Sequence, residues 1–128
     1  MNTFRQAEVF FSQIAQSKEI VEHAKRFDQE VQFHFKDDDP FYLEVKSGKF
    51  NLKKGESQKD YYGKIDITTD SDTFGLLCDG AIGFADAMED MKMECRDMIK
   101  RSVVGWFGKM IKLGQEYRIR NRLVGKTS

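Results

Sequence analysis

The chain has 128 residues, of which 40% are hydrophobic and 33% are charged. This length suffices for one domain with its own core, so we expect a single domain over residues 1–128. Lys and Arg number 21 and Asp and Glu also number 21, which leaves no net charge to attract nucleic acid. Two cysteines cannot make the disulfide framework of a small secreted domain, and we therefore expect a cytoplasmic protein.

The first 28 residues predict one amphipathic helix. Polar residues break up its apolar content, so we expect neither a signal peptide nor a membrane span, and a soluble, unprocessed chain. Lys18 interrupts an apolar stripe that otherwise recurs at steps of three and four residues. The stripe consists of Phe4, Ala7, Phe11, Ile14, Val21 and Ala24.

Residues 31–98 predict a sheet followed by crossover helices. Four segments between 31 and 68 alternate apolar and polar residues, which is typical of strands in a sheet with one buried face. An Asp-rich turn at 37–40 and a tight reversal at Ser47 and Gly48 connect the first three as an antiparallel meander. The predicted inward residues are Val31, Phe33, Phe35, Phe41, Leu43, Val45, Phe50, Leu52, Tyr61, Gly63, Ile65 and Ile67.

The second half of the chain predicts helices and a weak fifth strand. Asp70 or Ser71 would cap a short helix that Gly80 ends, and a second helix would begin near Ala81. Residues 91–95 alternate like a strand but also fit helical spacing, and the strand is favoured. A last amphipathic helix is expected over 97–117, followed by a basic, frayed tail over 118–128.

This order of elements resembles the sterol carrier protein 2 family. The resemblance is carried by FYLEVKSGKFNLKKG, GKIDITTDSDTFGLLCDG and IGFADAMEDMKM, and it covers roughly residues 31–98. Asp70, Ser71, Asp72, Phe74 and Gly80 stand in the family's passage from strand to capped helix. Around the last strand the chain reads EDMKMECRD, without the glycines that flank this strand in the family. The resemblance implies an α+β fold with a mainly antiparallel sheet of about five strands, helices on one face and an apolar tunnel between them.

The function expected from this arrangement is binding, and in a further step transfer, of an apolar ligand without catalysis. The ligand would be a fatty acyl chain, a sterol-like molecule or another lipid, held in a cavity between the sheet and the helices. Burying each methylene group of an extended ligand gains about 0.8 kcal/mol, so such a ligand could bind without strong polar contacts. The expected tunnel floor is Phe33, Phe35, Leu43, Val45, Ile65 and Ile67. The expected roof is Phe74, Leu77, Phe84, Met88, Trp106, Phe107 and Met110.

The alternative is a filled core, because apolar stripes on helices are ordinarily packing. The chain would then be an interaction or assembly module that dimerises or docks through its C-terminal helix. The basic residues Arg118, Arg120, Arg122 and Lys126 would either contact anionic lipid head groups or form a solvated tail. The expected partners are therefore an apolar small molecule or lipid, a membrane that the protein contacts transiently, and a second copy of the chain in a homodimer.

The sequence offers no set of residues for catalysis, so we expect a protein that is not an enzyme and has no cofactor. His23 and His34 have no partner at metal-ligand spacing, and we expect both to be solvated or to lie on the sheet surface. Cys78 has no nearby base in sequence that would activate its thiol. The Asp37–Asp39 run lacks the pattern of a calcium loop and is interpreted as a turn.

Overall fold

A computed structural model of the chain describes residues 2–60, 63–96 and 101–127, with side chains as far as Arg122. Predictions that involve Tyr61, Tyr62 or residues 97–100 lie outside the described residues. The elements, in chain order, are α1 (Thr3–Ile14), α2 (Lys18–Ala24), β1 (Gln29–Phe35), β2 (Phe41–Lys46), β3 (Lys49–Lys54), β4 (Lys64–Thr69), α3 (Ser71–Asp79), α4 (Phe84–Glu89), β5 (Glu94–Cys95) and α5 (Arg101–Thr127).

The five strands form one sheet in the order β3-β2-β1-β4-β5. Three neighbouring pairs are antiparallel, whereas β1 and β4 run parallel, with Val31 opposite Ile65 and Phe33 opposite Ile67. The predicted α+β fold with a mainly antiparallel sheet is confirmed. The parallel pair arises because the chain completes the β2–β3 hairpin on one side of β1 and then returns to the other side.

The prediction of one N-terminal helix is wrong, because the chain forms two. Ser17 has an extended backbone (φ −87°, ψ 122°), and its hydroxyl accepts a hydrogen bond from the Ile20 amide at 3.4 Å. This is the geometry of an N-cap, which stops one helix and starts the next. The interruption at Lys18 marks the first residue of α2, and this second helix packs against α5.

The predicted caps of α3 are confirmed. The Asp70 carboxylate accepts from the Thr73 amide at 2.8 Å, and Gly80 ends the helix at φ 79°. This left-handed conformation favours glycine and frees the chain to turn toward α4. The next helix begins at Phe84, with Gly83 as its N-cap, and not near Ala81.

The fifth strand and the last helix differ in length from their predictions. The strand is confined to Glu94–Cys95, since Met91 lies in a turn at φ 58° with 80% of its surface exposed. The last helix runs to Thr127 and includes most of the predicted frayed tail. No proline interrupts residues 118–127, so nothing in the sequence prevents the helix from continuing.

The outer face of the sheet is partly covered, although its polar residues predicted a solvated surface. The loop at 55–60 buries Glu30 and Gln32, which are 6% and 1% exposed. The Ser57 amide donates to the Gln32 side-chain oxygen at 2.6 Å, and the Ser57 hydroxyl donates to the Glu30 carboxylate. These polar groups are buried because each finds a hydrogen-bond partner in the loop.

The Asp-rich turn joins the starts of two helices. Asp38 accepts from the amide and hydroxyl of Thr3 at 3.2 and 3.0 Å, and Asp37 accepts from the amide and hydroxyl of Ser71 at 2.9 and 2.5 Å. The hydrogen bonds from Ser71 lower the pKa of Asp37, and those from the Asp39 and Thr3 amides lower the pKa of Asp38. The turn predicted at 37–40 therefore fixes α1 and α3 relative to the sheet.

Across the described part of the chain, no helix combines the length and the apolar character needed to cross a lipid bilayer.

Candidate ligand-binding site

The space between the inner sheet face and the helices is filled by side chains. Phe33 is the centre of an aromatic cluster, with ring centroids 5.2 Å from Phe41 and 5.4 Å from Phe74. An internal gap of about 10 Å³ lies beside this cluster, which is at the lower limit for one water molecule. The residues that line the gap are Phe10, Phe11, Phe33, Phe74, Leu77, Cys78 and Ile111.

An open groove of about 1080 Å³ lies between α4 and α5. This volume is slightly above the range of about 300–1,000 Å³ that is typical of small-molecule sites. Its lining from Gly80 to Glu89 comes from the end of α3, the following turn and α4, and its lining from Arg101 to Ile119 comes from α5. Its larger apolar members are Phe84, Met88, Val104, Leu113 and Ile119.

Two glycines on α5 shape this groove. A Cβ atom on Gly108 would lie 3.1 Å from the Phe84 ring, so the glycine lets α4 approach α5 closely. A Cβ atom on Gly105 would meet no atom within 4 Å, and this position therefore opens onto free space. The ring of Phe84 also packs edge-on against Phe107 at 5.6 Å, which joins the groove to the core.

The rims of the groove carry charges of opposite sign. Asp86 and Glu89 come from α4, and Arg101, Lys109 and Lys112 come from α5. All of these side chains are exposed. The groove thus combines apolar lining residues with exposed charged ones.

Side chains of α5 close the end of the groove by capping α3. The Gln115 side-chain amide donates to the carbonyls of Leu77 and Ile82 at 2.8 and 2.9 Å. The Arg118 guanidinium donates to the Cys78 carbonyl at 2.5 Å and to the Gln13 side chain at 2.8 Å. Leu77 and Cys78 lie in the last turn of α3, where helix carbonyls lack their regular partners, and Ile82 lies in the turn that follows, so these bonds tie α5 to the end of α3.

The start of α5 is held by a reciprocal pair of hydrogen bonds to α2. His23 Nε2 lies 2.8 Å from the Trp106 carbonyl, and Trp106 Nε1 donates to the His23 carbonyl at 2.8 Å. A carbonyl can only accept, so Nε2 carries a hydrogen. The prediction of a solvated His23 is wrong, because the residue is 7% exposed and its ring stacks on the indole.

The Cys78 thiol lies beside the internal gap of the core. Burial raises the pKa of the Cys78 thiol to about 12, which keeps this sulfur protonated and a poor nucleophile at neutral pH. No group of three or more His, Cys, Asp or Glu residues could hold a metal ion within residues 2–60, 63–96 and 101–127. His34 lies within 3.5 Å of Asp66 on the outer sheet face, away from the groove.

The predicted lining residues separate into two groups. Phe84 and Met88 line the groove, whereas the others lie in the core or against it. The core group consists of Phe33, Phe35, Leu43, Val45, Ile65, Ile67, Phe74, Leu77, Trp106, Phe107 and Met110.

Sequence reasoning did not include three apolar groove residues, Val104, Leu113 and Ile119. Helical spacing could have indicated Ile119, because positions 101, 105, 108, 112 and 119 share one side of α5, whereas positions 104 and 113 do not belong to that row.

No protein-family model and no curated protein sequence matches the chain. A crystal structure of sterol carrier protein 2 superposes with a TM-score of 0.63 at 13% identity, over 88% of this chain and 95% of that one. The ubiquinone synthesis protein UbiJ-SCP2 also gives 0.63 at 13% identity, over 84% of this chain and 86% of that one.

A third similar structure is the apo form of sterol carrier protein 2 from Yarrowia lipolytica. It has a TM-score of 0.57 and 20% identity, over 75% of this chain and 86% of that one. The matched regions include most of each chain, so the similarity concerns the whole arrangement of sheet and helices. The chain has a sterol carrier protein 2-like fold.

Proposed function

We propose that the protein binds an apolar ligand of the fatty acyl or sterol-like class in the groove between α4 and α5, and transfers it without chemical change. The observation that carries this proposal is the open groove of about 1080 Å³ on an apolar floor. An exposed apolar depression of this kind on a single chain is typical of a binding site. The fold, shared with structures named as sterol carrier proteins, supports the same class of ligand.

Phe84 and Met88 are the members of the predicted lining set that we place in this site. The remaining members would reach a ligand only if α4 moved away from α5, because the inner space holds a gap of about 10 Å³. We therefore propose the outer groove as the resting binding surface. Displacement of Phe84, which contacts Phe107, would be the step that admits a ligand to the core.

The test is binding of a fluorescent fatty acid, with displacement by palmitate and by cholesterol, to the wild-type protein and two variants. Gly105→Phe places a ring in the open space of the groove, and we expect it to weaken binding by about tenfold or more. Ser102→Phe adds the same ring at an exposed position of α5 outside the groove lining, and we expect it to bind as the wild type does. Absence of probe binding to the wild type, or equal binding by both variants, would contradict the proposal.

The filled inner space favours a second candidate, an assembly module that docks a second copy through α5. Ile119 is the specific feature behind it, since this groove residue is 44% exposed. Light scattering during size-exclusion chromatography at several concentrations tests this candidate. A dimer that Ile119→Ser dissociates would support it, and a monomer at all concentrations would exclude it.

A further inference from the structure

The C-terminal end of α5 forms a cationic extension of the groove. Residues 118–127 carry Arg118, Arg120, Arg122 and Lys126 and contain no acidic residue. These ten residues belong to one continuous helix, which at 1.5 Å per residue gives the segment a length of about 15 Å. The whole chain has no net charge, so this cluster is a local feature and not a sign of general basicity.

The extension continues the same side of the helix that lines the groove. Positions 112, 115, 116 and 119 line the groove, Arg122 follows Ile119 at a step of three, and Arg120 lies about 100° around the helix from Ile119. Ile119 is 44% exposed where the groove meets the extension, and Arg120 and Arg122 are exposed beside it. An apolar side chain among cations is the arrangement that amphipathic helices present to a bilayer interface.

Arg118 has a structural role at the base of this extension. Its guanidinium donates to Cys78 and Gln13, and it lies 5.5 Å from the Phe10 ring. These contacts fix the direction in which α5 leaves the body of the protein. The charges of Arg120 and Arg122 remain available on a helix whose base is held rigidly.

We infer that the end of α5 at Arg120 and Arg122 docks the protein on the anionic surface of a lipid bilayer, with the Ile119 end of the groove facing the membrane. The inference rests on the proposed function, because it gives the apolar ligand a route between groove and bilayer. Charge complementarity favours an anionic membrane as the partner, because each basic residue near such a membrane adds attraction. The exposed Ile119 side chain can enter the interface between the lipid head groups and the acyl chains. Nucleic acid is less suited, because its phosphates offer Ile119 no apolar environment and the chain has no net positive charge.

The experiment is cosedimentation of the full chain with vesicles of phosphatidylcholine alone and of phosphatidylcholine mixed with phosphatidylglycerol. Arg120→Glu/Arg122→Glu is compared with Lys46→Glu/Lys49→Glu, which makes the same charge change at exposed positions of the β2–β3 hairpin. We expect the wild type and the hairpin variant to bind the phosphatidylglycerol vesicles, and the α5 variant to lose at least about tenfold in affinity. Binding of the wild type should weaken as salt is added.

Three outcomes would overturn the inference. They are a wild type without preference for phosphatidylglycerol, equal losses in the two variants, and an α5 variant that changes oligomeric state but not vesicle binding. Fatty-acid probe binding measured without vesicles separates this test from that of the proposed function. A wild type that binds the vesicles but not the probe would refute the ligand proposal and leave the docking surface supported.

Discussion

At the scale of single residues, His23 and Trp106 join α2 to α5 through two hydrogen bonds. We expect Trp106→Phe to lower the free energy of unfolding by about 1–2 kcal/mol, because the indole hydrogen bond is lost and a smaller ring fills the buried site, while the His23 carbonyl keeps the Arg26 amide as a donor. Urea denaturation followed by circular dichroism measures this change. Ser102→Ala on the exposed side of α5 is the control, with an expected effect within about 0.5 kcal/mol. Equal effects of the two variants would show that the indole bond does not stabilise the contact.

The carboxylate of Asp37 predicts a pH dependence of stability. Its pKa is lowered from 3.8, chiefly by the Ser71 hydroxyl, so its ionised form stabilises the folded state above that value. This contribution is lost as pH falls through the lower pKa of the folded state. We expect Asp37→Asn to destabilise the protein at about pH 7 and to differ less from the wild type at about pH 3.

Urea denaturation at the two pH values measures the effect of Asp37→Asn. Asp39→Asn is the matched control, since Asp39 is exposed in the same turn. A difference between Asp37→Asn and the wild type that does not change with pH would contradict the prediction.

At the scale of elements, α5 offers a pair of glycines with opposite expected effects. A Cβ atom on Gly114 would lie 2.9 Å from the Phe10 ring and 3.1 Å from Ile14, so Gly114→Ala should destabilise by about 1–3 kcal/mol through overpacking. Gly105→Ala meets no atom within 4 Å and should stabilise by about 0.5–1 kcal/mol through helix propensity. Thermal unfolding of both variants checks this pair, and equal shifts of the same sign would contradict it.

Some elements of the fold could be predicted from the local sequence, and others could not. The caps of α3 at Asp70 and Gly80 follow from the residues that occupy them, and β2 and β3 follow from alternation next to a tight turn. The break before Ser17 was visible only as an interrupted stripe, because a serine within a polar stretch is a weak signal. The parallel pairing of β1 with β4 joins residues about one quarter of the chain apart, and no local pattern specifies such a partner.

At the scale of the whole molecule, the inner space behaves as a core. Phe74 is 2% exposed and packs edge-on against Phe33, Phe35 and Phe41. We therefore expect Phe74→Ala to cost about 3–5 kcal/mol of unfolding free energy, because it leaves a cavity among tightly packed rings. Leu76→Ala, on the exposed side of α3, should cost much less. Similar, small costs for both in urea denaturation would indicate that Phe74 is the wall of an open tunnel.

The identity of the core residues could be predicted from the sequence, but the place of the open space could not. Alternation and helical stripes identify Phe33, Ile67 and Phe107 as buried without showing whether a void separates them. A void depends on how closely elements approach, and here that distance is set by Gly108 against Phe84 and Gly114 against Phe10. The sequence shows these glycines, but the side chains opposite them are known only from the three-dimensional arrangement.

The burial of Trp106 gives the protein an internal optical reporter. It is the only tryptophan of the chain, and it is 4% exposed where α2 meets α5. Its emission should therefore lie toward short wavelengths and resist collisional quenching by acrylamide while the two helices stay together. Separation of α2 from α5 would expose the indole to water and move the emission to longer wavelengths, so native protein without any attached dye reports on this single contact.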